Sequence, residues 1–149
     1  RNMVAGMGTQ SAPKRPEQAL ENQAKKYTGE VQGKIANSNL RDKITRHKMN
    51  ARAFSLTLRR SALEAKTSAA PSPASSMFKY YGTEQNKGRF EVMMDMLGAK
   101  GLGWEGDGFL ERELWTTRGW LRSKANSIEG GTSEVQLNII AKRVLELPD

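Results

Sequence analysis

The chain has 149 residues, one domain's worth, with 24 Lys and Arg against 16 Asp and Glu, one histidine and no cysteine. The missing cysteines exclude disulfides, thiol nucleophiles and cysteine metal sites, and a single histidine leaves no material for a histidine-rich metal centre. The net charge of +8 is spread along "KITRHK", "LRR" and "AKR" with few aromatics between them, which predicts a solvated basic surface, then an anionic coenzyme, and no nucleic-acid groove.

The opening "RNMVAGMGTQSAPKRPEQ" has no initiator methionine and no apolar leader, and is expected to continue a longer protein. Residues 1–15 read as a flexible remnant of a preceding helix and loop. Pro16 suits a first helical turn, so a helix is predicted over 16–32, weakened by Gly29. "NSN" at 37–39 supplies N-cap candidates. Leu40, Ile44, His47, Ala51, Phe54 and Leu58 then recur at helical spacing and predict one amphipathic helix to about residue 66. His47 on that stripe is expected to be a buried, hydrogen-bonded histidine rather than a catalytic one. "TSAAPSPASS" breaks the helix.

A second long helix fits residues 75–97, with Met77, Phe78, Tyr81, Val92, Met93, Met96 and Leu97 as its apolar content. Gly82 and Gly88 in its polar middle predict close helix packing. "GAKGLGWEGDG" is too rich in glycine for regular structure, and Trp104 is expected to anchor it. A helix over 110–127 offers Leu114, Trp115, Leu121 and Ala125 for burial, while Arg118 and Arg122 fit surface ion pairs. Leu137, Ile140, Ala141 and Val144 mark a last helix that Pro148 stops. No strand alternation competes. The predicted fold class is all-α: an antiparallel up-and-down four-helix-type bundle with an additional short helix, one domain over 1–149. No run of apolar residues is long enough to span a membrane, so no membrane span is expected.

"EGGTSEVQ", residues 129–136, is the one motif with chemical content. Two glycines before a helix free backbone N–H groups and let the main chain approach a ligand, and the helix dipole favours an anion there. Thr132 or Ser133 can cap the helix, and Glu134 falls in its first turn. Those residues alone favour an ordinary capped helix, because short glycine motifs are weak signals.

"SIEGGTSEVQLNIIAKRVLELP" resembles the C-terminal signature of the acyl-CoA dehydrogenase family. "TTRGWLRSKANSI" resembles the helix before that signature, and "EVMMDMLGAKGL" the segment that ends the family's third bundle helix. The resemblance is close over 75–149 and loose over 1–74. It implies a C-terminal helical domain of an FAD enzyme that oxidises an acyl-CoA substrate to the 2-enoyl-CoA. It also implies an electron-transfer flavoprotein as electron acceptor, a homo-oligomer (dimer or tetramer) and a cytoplasmic setting. Gly131, Thr132 and Glu134 match cofactor-contacting positions of the signature, and Asp95 stands where a glutamine commonly touches the adenine end. An Asp carboxylate cannot donate that hydrogen bond. The family's Arg-x-x-Phe-Gly segment has no clear counterpart near "KKYTGEVQGK".

The resemblance leaves the catalytic base open. In the medium-chain branch it directly precedes the Gly-Thr pair, which is Gly130 here; Glu129 comes one residue early. In the isovaleryl and long-chain branch it lies in an early helix. "RNMVAGMG" resembles the segment just after that base, which would place the base upstream of Arg1. The isolated chain is expected to be inert and to self-associate. The alternative is a non-enzymatic helical interaction module that has lost the redox role.

Overall fold

The computed structural model describes residues 20–66 and 75–148. The expected remnant over 1–15 and most of the "TSAAPSPASS" break lie outside those residues.

The first helix, α1, runs Leu20–Thr28. It stops short of the predicted residue 32 because Gly29 sits at φ +85 and closes the helix, its N–H bonding Lys25 O at 2.9 Å. A two-residue hairpin follows, β1 (Glu30–Val31) paired antiparallel with β2 (Lys34–Ile35). Sequence alternation over two residues is too short to see. The signal was the Gln32-Gly33 pair, whose φ values of +49 and +76 form the tight turn that hairpins favour. The hairpin buries Ile35 and leads into the next helix.

That helix, α2, spans Ser38–Glu64. Asn37 caps it, its side-chain oxygen accepting from Leu40 N at 2.9 Å. The predicted stripe faces α3 (Ser75–Leu97), but its burial fades along the helix. Leu40 and Ile44 are buried, His47, Ala51 and Phe54 half-buried, and Leu58 exposed. The two helices run antiparallel: Lys43 pairs with Asp95 at 2.6 Å, His47 lies beside Gly88, and Phe54 packs on Tyr81 with ring centroids 5.3 Å apart. Gly82 and Gly88 thus sit where α2 crosses α3, as close packing requires. His47 is half-buried rather than buried, and burial beside Arg89 holds its pKa below the usual value.

After α3 the chain makes a 3-10 turn, Gly98–Leu102, within the glycine-rich segment expected to be irregular. Helix α4 is Glu111–Lys124, a further 3-10 turn is Ala125–Ser127, and α5 is Ser133–Ile139. α5 widens into a π turn over Ile140–Val144 before the chain ends in "ELPD". α4 returns antiparallel to α3, since Trp120 and Lys124 meet Glu91 while Asn126 meets Lys79 and Asn86. Helix α3 is therefore the hub that α1, α2, α4 and α5 all contact. Among the described residues the fold is all-α apart from the short hairpin: α2, α3 and α4 form the antiparallel bundle, and the shorter α1 and α5 pack on α3.

The core sits at one end of the bundle. Ala24, Ile35, Leu40, Ile44, Val92, Met93, Met96 and Leu97 form one cluster, with Leu20, Tyr27 and Phe90 packed against it. Full burial of a side chain such as Ile44 contributes about 2–3 kcal/mol. The last two helices break the pattern expected of them. α4 buries Glu113, Thr116, Thr117 and Ser123 and exposes Trp115 and Leu121. α5 buries Gln136 and exposes Val135 and Leu137. Several of their buried positions are polar, while Leu114, Trp120 and Ile139 are only half-buried and Leu121, Val135 and Leu137 are exposed. No helix among the described residues is long and apolar enough to cross a membrane.

Candidate functional site

The glycine motif forms the turn between α4 and α5. Gly130 and Gly131 both have left-handed backbone, φ +66 and φ +93. A side chain at Gly131 is impossible without rearrangement, because a Cβ there would lie 2.6 Å from Gln136 Nε2. Gly130 meets only Lys79 Cε, at 3.8 Å, so its outer side is open. Position 130 is thus built for glycine, and a glutamate there would adopt a strained φ.

Thr132 is the N-cap of α5 and its hydroxyl accepts from Val135 N at 3.3 Å. Glu134 stands exposed in the first turn, its carboxyl held below the usual range by its own backbone N–H and by the Thr132 hydroxyl. Ser133 Oγ is buried with no protein partner. Gln136 bonds back from α5, its Nε2 donating to Gly130 O at 3.4 Å.

Glu129 immediately precedes the glycines. Arg122 Nη2 donates to its Oε2 at 2.7 Å and Nη1 to its Oε1 at 3.4 Å, while Asn126 Nδ2 donates to Oε1 as well. The Arg122 guanidinium first, and Asn126 second, hold the Glu129 carboxyl below the usual carboxylate range. A carboxylate kept charged by a cation in solvent is a weak proton acceptor, so these contacts oppose a role as base.

A shelf on α3 supports the turn from below. Lys79 Nζ and Thr83 Oγ1 both donate to Asn126 O, at 2.8 and 3.3 Å, and Asn86 Nδ2 donates to Asn126 Oδ1 at 2.8 Å. Lys87 Nζ donates to Ser127 Oγ at 2.7 Å. Sequence reasoning reads "GTEQNKG" as glycine packing and misses this shelf. The available signal is its run of Thr83, Asn86 and Lys87 at helical spacing on one face.

Asp95 is not part of this constellation. It lies sixteen residues beyond Lys79 on α3, about 24 Å along the helix axis. Its carboxylate is engaged by Lys43. Glu129, Gly131, Thr132 and Glu134 therefore cluster at one end of α3 and Asp95 stands at the other.

One other carboxylate occupies an unusual setting. Glu113 is 2% exposed and accepts from Leu110 N at 2.8 Å and Tyr27 Oη at 2.9 Å. Those donors, led by the Leu110 N–H, hold it charged, and it caps α4 from within because Leu110 has no side-chain acceptor. Tyr27 in turn accepts from Arg112 Nε at 3.0 Å. Arg118 bonds Trp104 O at 2.6 Å and lies over its ring, so this tryptophan pins the glycine-rich segment to α4 while remaining half in solvent. Among the described residues no group of His, Asp and Glu is arranged to hold a metal ion.

Comparison with known proteins fits this arrangement of helices and turn. The family model described as acyl-CoA dehydrogenase, C-terminal domain, matches residues 2–145. The acyl-CoA dehydrogenase IpdE1 of Mycolicibacterium smegmatis is 48% identical over 58 residues, which are 39% of this chain and 14% of that protein. The fold also matches the crystal structure of the ChsE4-ChsE5 complex from Mycobacterium tuberculosis, with a TM-score of 0.68 and 24% identity, over 88% of this chain and 35% of the solved one. The chain thus spans about a third of the solved relative's length. It belongs to the acyl-CoA dehydrogenase C-terminal domain family.

Proposed function

We propose that this chain serves as the C-terminal domain of an FAD-dependent acyl-CoA dehydrogenase, contributing one wall of the flavin site and part of the oligomer interface. The observation that carries this reading is the Gly130–Gly131 turn, whose backbone is left open on its outer side and tied down on its inner side. The residues present fit an extended polar cofactor on one side: the Gly130 backbone is left-handed and open, with only Lys79 Cε within 4 Å of where a side chain would begin. Gly131, Thr132 and Glu134 are the residues that would meet it. When bound, FAD supplies the hydride acceptor for forming the α,β double bond of the acyl-CoA. Reoxidation is assigned to an electron-transfer flavoprotein.

Among the described residues, those at the turn do the positioning and not the proton transfer. Gly130 occupies the place of one family base and carries no side chain, and Glu129 is held ionised by its pair with Arg122. The base is therefore assigned to a part of the full protein outside the described residues. Asp95 lies eight residues beyond Lys87 of the shelf, about 12 Å along α3, so it would meet a cofactor away from the turn.

The oligomer interface is supported by the outward apolar faces of α4 and α5, together with Ile128, Leu145 and Leu147. The Lys43–Asp95 pair favours one rival reading, a bundle that kept its interfaces and lost the redox role. Purifying the full-length protein and recording its flavin spectrum separates the two. A flavin-bearing protein that oxidises an acyl-CoA supports the enzyme, and a colourless one that takes up no FAD supports the rival.

A further inference from the structure

The turn between α4 and α5 has no apolar anchor. Ile128 is 70% exposed, and the next two flexible positions are glycines. Consecutive glycines lose the most conformational entropy when fixed, so something else must hold this backbone in one shape. A chain of polar contacts runs through it: Lys79 and Asn86 on α3 hold Asn126, Asn126 holds Glu129, and Arg122 on α4 grips the same carboxylate from the other side. The Glu129 carboxylate thus links the shelf on α3 to the surface of α4, one residue before the backbone becomes free.

We propose that Glu129 is a positioning residue: by bridging Arg122 and Asn126 it fixes the Gly130–Gly131 backbone in the shape that meets the flavin, and so sets cofactor affinity rather than accepting the substrate proton. This inference rests on the flavin reading of the turn. Preorganising a binding loop raises affinity by removing the ordering cost from the binding step. A base, by contrast, leaves cofactor affinity alone and lowers turnover by about a hundredfold or more when removed.

The test uses the full-length holoenzyme, stripped of FAD and titrated with FAD by flavin fluorescence. Glu129→Gln and Arg122→Gln are each expected to weaken FAD binding by about two- to fivefold. The double variant should bind no worse than the weaker-binding single one, because both substitutions break one link. Turnover at saturating FAD is expected to fall far less than loss of a base entails. Three results would overturn the inference: wild-type FAD affinity in Glu129→Gln, fully additive losses in the double variant, or Glu129→Gln that keeps its FAD but loses turnover. A wild-type protein that takes up no flavin would sink the underlying flavin reading, and this inference with it.

Discussion

Arg122 grips Glu129 with both guanidinium nitrogens, at 2.7 and 3.4 Å, across the start of the glycine turn. The pair lies in solvent, so its meaning is geometric more than energetic. Its electrical consequence is measurable. Arg122→Met should raise the Glu129 carboxyl back toward the ordinary glutamate range, read by NMR titration of the side-chain carboxyl. An unchanged titration would mean that Arg122 does not hold Glu129 in solution.

Acid should unfold the chain partly through Glu113. Its folded pKa is depressed, chiefly by the Leu110 N–H bond and also by Tyr27. A depressed carboxylate stabilises the fold above its unfolded pKa, and that contribution is lost as pH falls through the lower folded value. Glu113→Gln should cost about 1–3 kcal/mol near neutral pH, because one buried amide cannot replace a carboxylate accepting from both Leu110 N and Tyr27 Oη. It should also flatten the acid limb of stability against pH. Chemical denaturation from neutral pH down past the ordinary glutamate pKa of about 4.3 reads both effects, and an acid limb as steep as wild type would contradict the assignment.

Helix α4 approaches α3 closely at Gly119, where a Cβ would fall 2.5 Å from Phe90 Cε1. Gly119→Ala should lower stability by about 1–3 kcal/mol despite its better helix propensity, because the ring must move within a packed contact. Ile44→Ala, in the buried cluster, should cost about 2–5 kcal/mol. Thermal melts of both variants decide; a stabilised Gly119→Ala would mean that the two helices sit farther apart.

The isolated chain should self-associate through the outward faces of α4 and α5. Leu121→Glu combined with Leu137→Glu should shift it toward monomer without unfolding it, since both residues are exposed in the single chain. Sedimentation velocity at micromolar concentration provides the readout. A wild-type chain that stays monomeric would contradict the interface, and an association untouched by the two substitutions would move it elsewhere.

The long elements were legible because their apolar periodicity spans several turns. α2 and α3 follow directly from the Leu40–Ile44–His47 stripe and from the Met93 and Met96 cluster, and the glycines at 82 and 88 mark where those helices touch. The hairpin at Glu30–Ile35 was not, because two-residue strands carry no periodic signal and only Gln32-Gly33 announced it. Periodicity marks an apolar stripe but not how deeply a helix seats that stripe against its neighbours. That is why Leu137 and Leu121, expected inside, lie outside, while Gln136 and Glu113 lie within. The glycine turn was visible from its residue types, but its supports were not. The contacts joining Lys79, Asn86 and Asn126 cross forty residues or more and arise only when α4 folds back on α3.

Whether this bundle completes the flavin site of an acyl-CoA dehydrogenase is decided by anaerobic titration of the purified full-length protein with a panel of acyl-CoA thioesters. The expected result is a yellow protein whose long-wavelength flavin band bleaches with at least one thioester, with the 2-enoyl-CoA as product. A full-length protein that holds no flavin after reconstitution, or whose flavin band is unmoved by every thioester, would contradict the proposed role.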